Sequence, residues 1–265
     1  MPPSELEIAL GATLPATTTP PELPLAHLTA ARYLKGILDA KYLLPRLCKV
    51  FGKRLLYFSY GGVFYRTSAE QSENATELPV AMVFTPEVME ACCRLFPFDS
   101  GAMAGKLYGD KWYTAMEPFD KRFSICDGNL SKAARLLVHH LYQTNSRYVE
   151  GRPARGNASW PPALSLLHTF LDEDLSGTGI VPLGIDHRQR SIELLSEGPV
   201  SIAEKLIWIG LPHHRLVRTM KAIRALTRTL PQVYTYDWRR NFNPGEIAAE
   251  LEREARDQVL ERYLE

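Results

Sequence analysis

The segment Arg190-Ser191-Ile192-Glu193-Leu194-Leu195 decides how the fold of this chain is interpreted. If it forms a strand, Ile192 and Leu194 share one face and Glu193 lies on the other. A carboxylate among apolar neighbours is costly to bury unless it has a partner or a task, and the arginines just before Glu193 would keep it ionised. The ordinary interpretation is a charged residue on the exposed side of a half-buried strand.

A second segment far upstream pairs polar residues with a helix. Thr29 is a residue type that caps helices, so the sequence predicts a helix that begins at Ala30. Its apolar face is predicted to comprise Tyr33, Leu34, Ile37 and Leu38. His27 and Thr29 share one side of the short strand before the helix, where backbone donors and the helix dipole favour a polar ligand. A structural histidine is the alternative interpretation of His27.

The third informative segment, residues 54–66, is rich in strand-forming aromatic residues. The pair Gly61-Gly62 interrupts it. Glycines in such a strand indicate a bulge or a close approach of the backbone to a ligand. A buried strand hairpin is the alternative.

In this order, the segments resemble the ADP-ribosyltransferase fold, and most of all the DarT-type toxins that modify DNA. The matching positions are His27, Thr29, Leu34, Ile37 and Leu38, the aromatic strand at 56–60 with Arg66 after it, the strands at 79–84 and 206–209, the strand that carries Glu193, and the closing strand at 233–238. The resemblance covers most of residues 25–240 and depends on the order of several weak motifs. It implies an α+β fold with a split central β-sheet and flanking helices.

The resemblance also implies a chemistry, with NAD as co-substrate and no metal. His27 would bind the adenosine ribose, and Thr29 would help to fix either the geometry near the nicotinamide or the turn. One of three aromatic side chains, Tyr57, Tyr60 or Tyr65, would stack on the nicotinamide ring. Glu193 would stabilise the oxocarbenium-like ribose and orient its 2′-hydroxyl.

An arginine that holds the pyrophosphate completes this set. The family places its catalytic arginine between the opening helix and the aromatic strand, where this chain offers Arg46, Lys53 and Arg54. Arg66 is a further option just after the aromatic strand. We expect Arg66 to be the catalytic partner of Glu193 and Arg54 to bind the cofactor.

The activity expected from the resemblance is NAD-dependent mono-ADP-ribosyl transfer to a macromolecule, with nucleic acid as the acceptor. A toxin or defence effector of this type would have a neutralising antitoxin protein as partner. Two alternatives stay open: an NAD glycohydrolase, and an interaction module of the same fold without enzymatic activity.

Composition narrows the class of protein. The chain has 265 residues, 45% hydrophobic and 23% charged, with a net charge of +1. These values are typical of a globular protein whose net charge does not attract it electrostatically to nucleic acid or to a membrane surface.

No apolar run approaches the length of a membrane span, and the early acids Glu5 and Glu7 argue against a signal peptide. No CxxC spacing occurs among the four cysteines, so we expect reduced thiols and a cytoplasmic location. Adjacent histidines, as at 139–140 and 213–214, make poor joint metal ligands.

The chain is predicted to have three parts: a disordered or extended lead at 1–24 with six prolines, a domain at 25–240, and an acidic amphipathic helix at 241–265. Within the domain, residues 213–230 form a predicted helix whose polar face carries Arg218, Lys221, Arg224 and Arg228. This face either tracks a phosphate backbone or is simply solvated. The acidic helix would dock a partner or cover the basic one.

Overall fold

A computed structural model describes residues 2–12, 19–64, 76–126, 128–176, 187–203, 205–227, 229–237 and 244–264. The chain divides into two compact units. Unit 1 comprises Met1–Glu22, Cys93–Leu194 and Leu264–Glu265, and unit 2 comprises Leu23–Cys92 and Leu195–Tyr263.

The helices and strands have the following bounds. The α-helices are α1 Glu5–Ala12, α2 Ala31–Ala40, α3 Ser100–Ala104, α4 Asp110–Met116, α5 Phe119–Arg122, α6 Leu130–Tyr142, α7 Asn145–Val149, α8 Pro162–Ser176, α9 Leu216–Arg224 and α10 Pro244–Gln258. Short 3-10 helices lie at Pro86–Ala91, His187–Arg190, His213–Arg215 and Leu260–Tyr263. The strands are β1 Leu25–Ala30, β2 Tyr42–Leu43, β3 Arg46–Leu47, β4 Arg54–Tyr60, β5 Pro79–Phe84, β6 Arg94–Phe96, β7 Glu193–Ser196, β8 Val200–Ser201, β9 Leu206–Pro212 and β10 Gln232–Tyr236. None of the described helices combines the length and the apolar character that crossing a membrane requires.

Unit 2 is built on a mixed sheet in the order β10-β9-β5-β1-β4, with β3 added to β4. The pairs β1–β4, β1–β5 and β5–β9 are antiparallel, whereas β9 and β10 run parallel. A separate pair joins β2 to β8. A mixed sheet with helices packed against it confirms the predicted α+β class.

The helix α10 lies against this sheet at a glycine. It contacts β5, β9 and β10. A Cβ placed on Gly210 would lie 2.4 Å from Leu251 Cδ2 and 2.5 Å from the ring of Trp208. The Trp208 indole N–H donates to Gln258 Oε1 at 3.0 Å. The helix therefore packs closely on the sheet because position 210 lacks a side chain.

The predicted role of Thr29 as a helix cap is wrong. The cap residue of α2 is Ala30, which makes no side-chain capping bond, and Thr29 lies within β1. The first helical N–H groups instead donate to backbone carbonyls, from Ala31 to Leu78 at 2.8 Å and from Arg32 to Thr76 at 2.9 Å. Tertiary backbone partners satisfy the donors that a side chain would otherwise cap.

The N-terminal lead differs from its predicted extended or disordered state, since Glu5–Ala12 forms α1 in unit 1. Ser4 and Glu7 form a capping box, in which the Glu7 N–H donates to Ser4 Oγ at 3.1 Å and the Ser4 N–H donates to Glu7 Oε2 at 2.7 Å. Leu6, Ala9 and Leu10 are buried, and the helix contacts α5, α6 and α8. The prolines end at Pro3 and resume at Pro15, so they leave this stretch free to be helical.

The core of unit 1 is aromatic. Phe98 is fully buried, and its ring lies 5.8 Å from Phe123, 6.1 Å from Phe170 and 6.2 Å from Phe119. Edge-to-face rings at these distances favour one fixed arrangement. The cluster holds the chain immediately before Asp99 and Ser100.

Candidate active site

Glu193 is a buried carboxylate with hydrogen-bond donors. It is the first residue of β7 and is 7% exposed. Its Oε2 accepts from the Ser100 backbone N–H at 3.2 Å and from the Ser100 hydroxyl. The ordinary interpretation, an exposed charge on a half-buried strand, therefore does not apply to Glu193. Charge-assisted hydrogen bonds offset part of the cost of burying this group.

Ser100 owes its position to the residues on either side of it. Phe98 anchors the chain before it in the aromatic core. Asp99 caps α3, since its Oδ1 accepts from the Ala102 N–H at 2.7 Å. Ser100 is fully buried at the first position of that helix. Its N–H and its hydroxyl are thus both fixed toward Glu193.

The chain before Glu193 is also fixed. The Ile192 N–H donates to the Tyr148 hydroxyl at 3.1 Å, and Tyr148 is fully buried with its ring 5.0 Å from Tyr142. Arg190 lies against Gly151, where an added Cβ would come within 2.2 Å of Arg190 Nη1. Gly151 also has a φ of +66°, which favours glycine. These contacts leave Glu193 little freedom of position.

His27 lies in unit 2 on β1, paired with Met82 of β5. Its Nδ1 lies 2.8 Å from the Tyr57 carbonyl oxygen, so Nδ1 carries the proton and donates. Burial lowers the pKa of His27, the Tyr57 hydrogen bond opposes this, and the positive charge of Arg46 lowers the pKa further. A neutral ring protonated at Nδ1 leaves Nε2 as a hydrogen-bond acceptor.

Arg46 lies on β3, opposite Leu55 of β4. Its guanidinium stacks on the ring of Tyr33, with 3.3 Å between Cζ and the ring centroid. Since its charge acts on the His27 ring, the two side chains belong to one electrostatic neighbourhood. A cation–π contact holds an exposed guanidinium in place while its N–H groups still face solvent. Of the three cations that the sequence offers before the aromatic strand, Arg46 rests on an aromatic ring, whereas Lys53 pairs with Glu197 at 2.9 Å.

The remaining predicted residues of unit 2 differ in what they can contact. Tyr57 and Tyr60 lie on opposite faces of β4, because their positions differ by an odd number. Tyr57 is half-buried and its hydroxyl donates to Cys48 Sγ at 2.7 Å. Tyr60 is fully buried, and its hydroxyl accepts from the Leu23 N–H at 3.0 Å, so its contacts lie in the core of the unit.

The other predicted residues are Arg54, Thr29, Tyr65 and Arg66. Arg54 is exposed at the start of β4, and Thr29 pairs with Val80 in the sheet. Tyr65 and Arg66 lie outside the described residues.

Two features of the site were missed by sequence reasoning. Ser100 belongs to none of the sequence motifs described above, and nothing in the sequence relates it to a glutamate 93 positions later. Tyr33 was assigned to an apolar helix face, but it also supports Arg46. Within the described ranges, no group of three His, Cys, Asp or Glu side chains is placed to hold a metal ion.

Comparison with known proteins finds a likeness of structure. No protein-family model matches the chain, and no curated protein matches it. The chain is similar to DarT of Thermus sp. 2.9 in complex with NAD+, with a TM-score of 0.43 and 12% identity over 83% of this chain and 98% of that one. A second structure, the same protein in complex with ADP-ribosylated ssDNA, gives a TM-score of 0.42 and 13% identity over 83% and 98% of the two chains. DarT-type proteins are also the group that the sequence resembles.

Proposed function

We propose that the chain is an NAD-dependent mono-ADP-ribosyltransferase that cleaves the bond between nicotinamide and ribose and transfers ADP-ribose to nucleic acid. The observation that carries the proposal is the buried Glu193 carboxylate, which is held by the backbone N–H and the hydroxyl of Ser100. A protein rarely retains such a group in its interior without a use for it.

The role proposed for Glu193 follows from the charge that develops in the reaction. Loss of nicotinamide leaves positive charge on the ribose, and a fixed carboxylate stabilises that charge without reorganising. Each carboxylate oxygen can accept more than one hydrogen bond, so Glu193 would accept from the ribose 2′-hydroxyl in addition to the Ser100 donors. The same carboxylate would help to deprotonate the attacking group of the acceptor.

Unit 2 supplies the groups proposed to bind NAD. Nε2 of the neutral His27 ring would accept a hydrogen bond from a hydroxyl of the adenosine ribose. Arg46, supported by Tyr33, would pair with the pyrophosphate, a role for which we now favour it over Arg54. Tyr57 remains the described aromatic residue proposed to contact nicotinamide, and Tyr65 and Arg66 keep the roles given to them from sequence.

The biological setting is part of the proposal. The sequence resemblance to DarT-type toxins supports a toxin or defence effector with a neutralising antitoxin protein. The structure of Thermus sp. 2.9 DarT in complex with ADP-ribosylated ssDNA names the kind of acceptor to test first.

The experiment that tests the function follows NAD labelled on the adenylate, with purified protein and with single-stranded DNA, duplex DNA, RNA or no acceptor. Glu193→Gln is the matched variant, because the amide oxygen still accepts from Ser100 while the negative charge is lost. We expect label to move onto one nucleic acid with the wild type and at least a 10³-fold loss with Glu193→Gln, at unchanged thermal stability. Equal turnover by both proteins would refute the role of Glu193, and NAD loss without transfer would make the protein a glycohydrolase.

A further inference from the structure

The segment from Lys205 to Tyr236 holds positive charge that the rest of the chain does not share. It contains Lys205, Arg215, Arg218, Lys221, Arg224 and Arg228 and no Asp or Glu, which gives it a charge of +6. The whole chain carries +1, so the remaining residues sum to −5. The near-neutral net charge therefore hides a local positive field.

The helix α9 presents this charge on one side. Thr219 and Ile223 are buried on its inner side, and the helix contacts α2. At 100° per residue, Arg218, Lys221 and Arg224 span about 120° centred opposite that inner side. All three side chains are exposed. They form a row roughly 9 Å long, since each step of three residues rises about 4.5 Å.

These three cations lack carboxylate partners within the described part of the chain. Some cations of other helices do have them: exposed Lys35 of α2 pairs with Asp39, and half-buried Arg122 of α5 pairs with Glu5 at 3.0 Å. Nor does the acidic helix α10 supply partners, since its described ion pairs are local, from Arg253 to Glu254 and from Arg256 to Asp257. No ion pair among the described residues thus supports the alternative that α10 covers α9.

The outer side of α9 is open, and the turn before the helix is positive. Val217, between the cations, is 81% exposed. Burial lowers the pKa of His214, next to the helix, and the positive charges of Arg215 and His213 lower it further.

We infer that the outer side of α9, defined by Arg218, Lys221 and Arg224 with Val217, is a docking surface for the phosphate backbone of a nucleic acid strand. The three cations pair with phosphates, and Val217 contacts sugar or base edges. A membrane fits less well, because a helix that lies in a bilayer interface needs a free apolar face and the apolar side of α9 is already packed against protein. The inference names where the acceptor of the proposed transferase is held, and depends on that function only for the choice of partner.

The test measures binding of the full chain to a fluorescein-labelled oligothymidylate by anisotropy between 50 and 200 mM salt, conditions chosen to resolve ion release. The variant is the triple change Arg218→Ala, Lys221→Ala and Arg224→Ala. The control removes the same charge from exposed helical positions in unit 1 through Lys111→Ala, Lys121→Ala and Lys132→Ala. We expect the α9 variant to bind at least tenfold more weakly at 50 mM salt, with a log–log salt slope shallower by about 2, as three phosphate contacts predict. The control should stay within twofold of wild type.

The inference is overturned if both triple variants weaken binding equally, or if the wild type binds vesicles with phosphatidylserine but no oligonucleotide. Its failure is separable from that of the proposed function. If nucleic acid binding depends on α9 but no NAD turnover occurs, the docking surface is supported and the transferase function is refuted. If NAD turnover depends on Glu193 but the α9 variant binds nucleic acid as the wild type does, the function is supported and the docking surface is refuted.

Discussion

Glu193 and Arg46 carry the two opposite charges of the proposed chemistry, and the chain fixes them by different means. The glutamate lies in the interior of unit 1 and is held by two donors of one serine. The arginine lies at the surface of unit 2 and is held by the face of one tyrosine. A buried ion needs directed hydrogen bonds because it has lost its water, whereas an exposed guanidinium needs only a surface that limits its motion. Substitutions near Glu193 should therefore reduce activity far more than substitutions near Arg46.

After Glu193→Gln, the largest effect is expected from Glu193→Asp. This change keeps the charge but withdraws the carboxylate by one methylene, beyond the reach of the Ser100 donors. A displacement of this size at a reacting group lowers the rate by about 100-fold or more. NAD turnover measured at saturating NAD checks this, with binding of NAD as the control. Turnover within threefold of wild type would show that the position of the charge does not matter.

Ser100→Ala should have the next largest effect. The backbone N–H still donates to Glu193, but the hydroxyl bond is lost inside the protein. We expect kcat to fall roughly 10- to 100-fold with KM little changed, and the free energy of unfolding to fall by about 1–3 kcal/mol. Ser159→Ala, at an exposed position, is the control. A loss of stability without a change in kcat would make Ser100 a structural residue only.

Tyr33→Leu tests the arginine side of the comparison. It removes the ring beneath Arg46 and keeps an apolar side chain on α2. A cation–π contact at an exposed site contributes about 0.5–1 kcal/mol, so the Kd for NAD should rise about two- to fivefold. kcat should be unchanged, which is the opposite of the Ser100→Ala pattern. Calorimetric titration with NAD measures this, and an unchanged Kd would remove Arg46 from the binding site.

The smallest effect concerns His27 and pH. Because burial lowers its pKa in the folded state, the unfolded chain binds a proton that the folded chain does not. Its stabilising contribution is therefore complete above the unfolded pKa of about 6.5 and is lost as pH falls toward the folded value. Denaturant unfolding between pH 5 and 7.5 should show a shallower dependence on pH for His27→Gln than for wild type, by less than the roughly 1.4 kcal/mol per pH unit of one proton. Identical slopes would contradict the lowered pKa.

The sequence predicted the parts of this comparison that depend on local pattern. Alternation and aromatic content place His27 on β1, Tyr57 on β4 and Glu193 on β7, all of which are confirmed as strands. The periodicity of Leu34, Ile37 and Leu38 likewise predicts the buried side of α2. Such patterns report the period of an element and the side it buries.

The parts that failed depend on contacts between distant residues. The donors at the start of α2 bond to carbonyls of residues 76 and 78, so no local cap was needed. Ser100 reaches Glu193 from 93 positions away, and no local periodicity records such a meeting. The helix α1 is different, because the Ser4–Glu7 capping box is a local signal for a helix. The prediction of an extended or disordered lead gave more weight to the prolines of this segment than to that signal.

Because Gly210 lets α10 pack against Trp208, the fluorescence of this tryptophan reports whether the helix is docked. The glycine lets α10 press Trp208 into a fully buried site, where the indole N–H is tied to Gln258 near the end of that helix. An indole in such a place emits at shorter wavelength than one in water, so undocking of the C-terminal helix would redden the emission of one of only four tryptophans in the chain. Binding of an inhibitor protein or an acceptor that displaces this helix would therefore shift the tryptophan emission wavelength, and no added label would be needed to detect it.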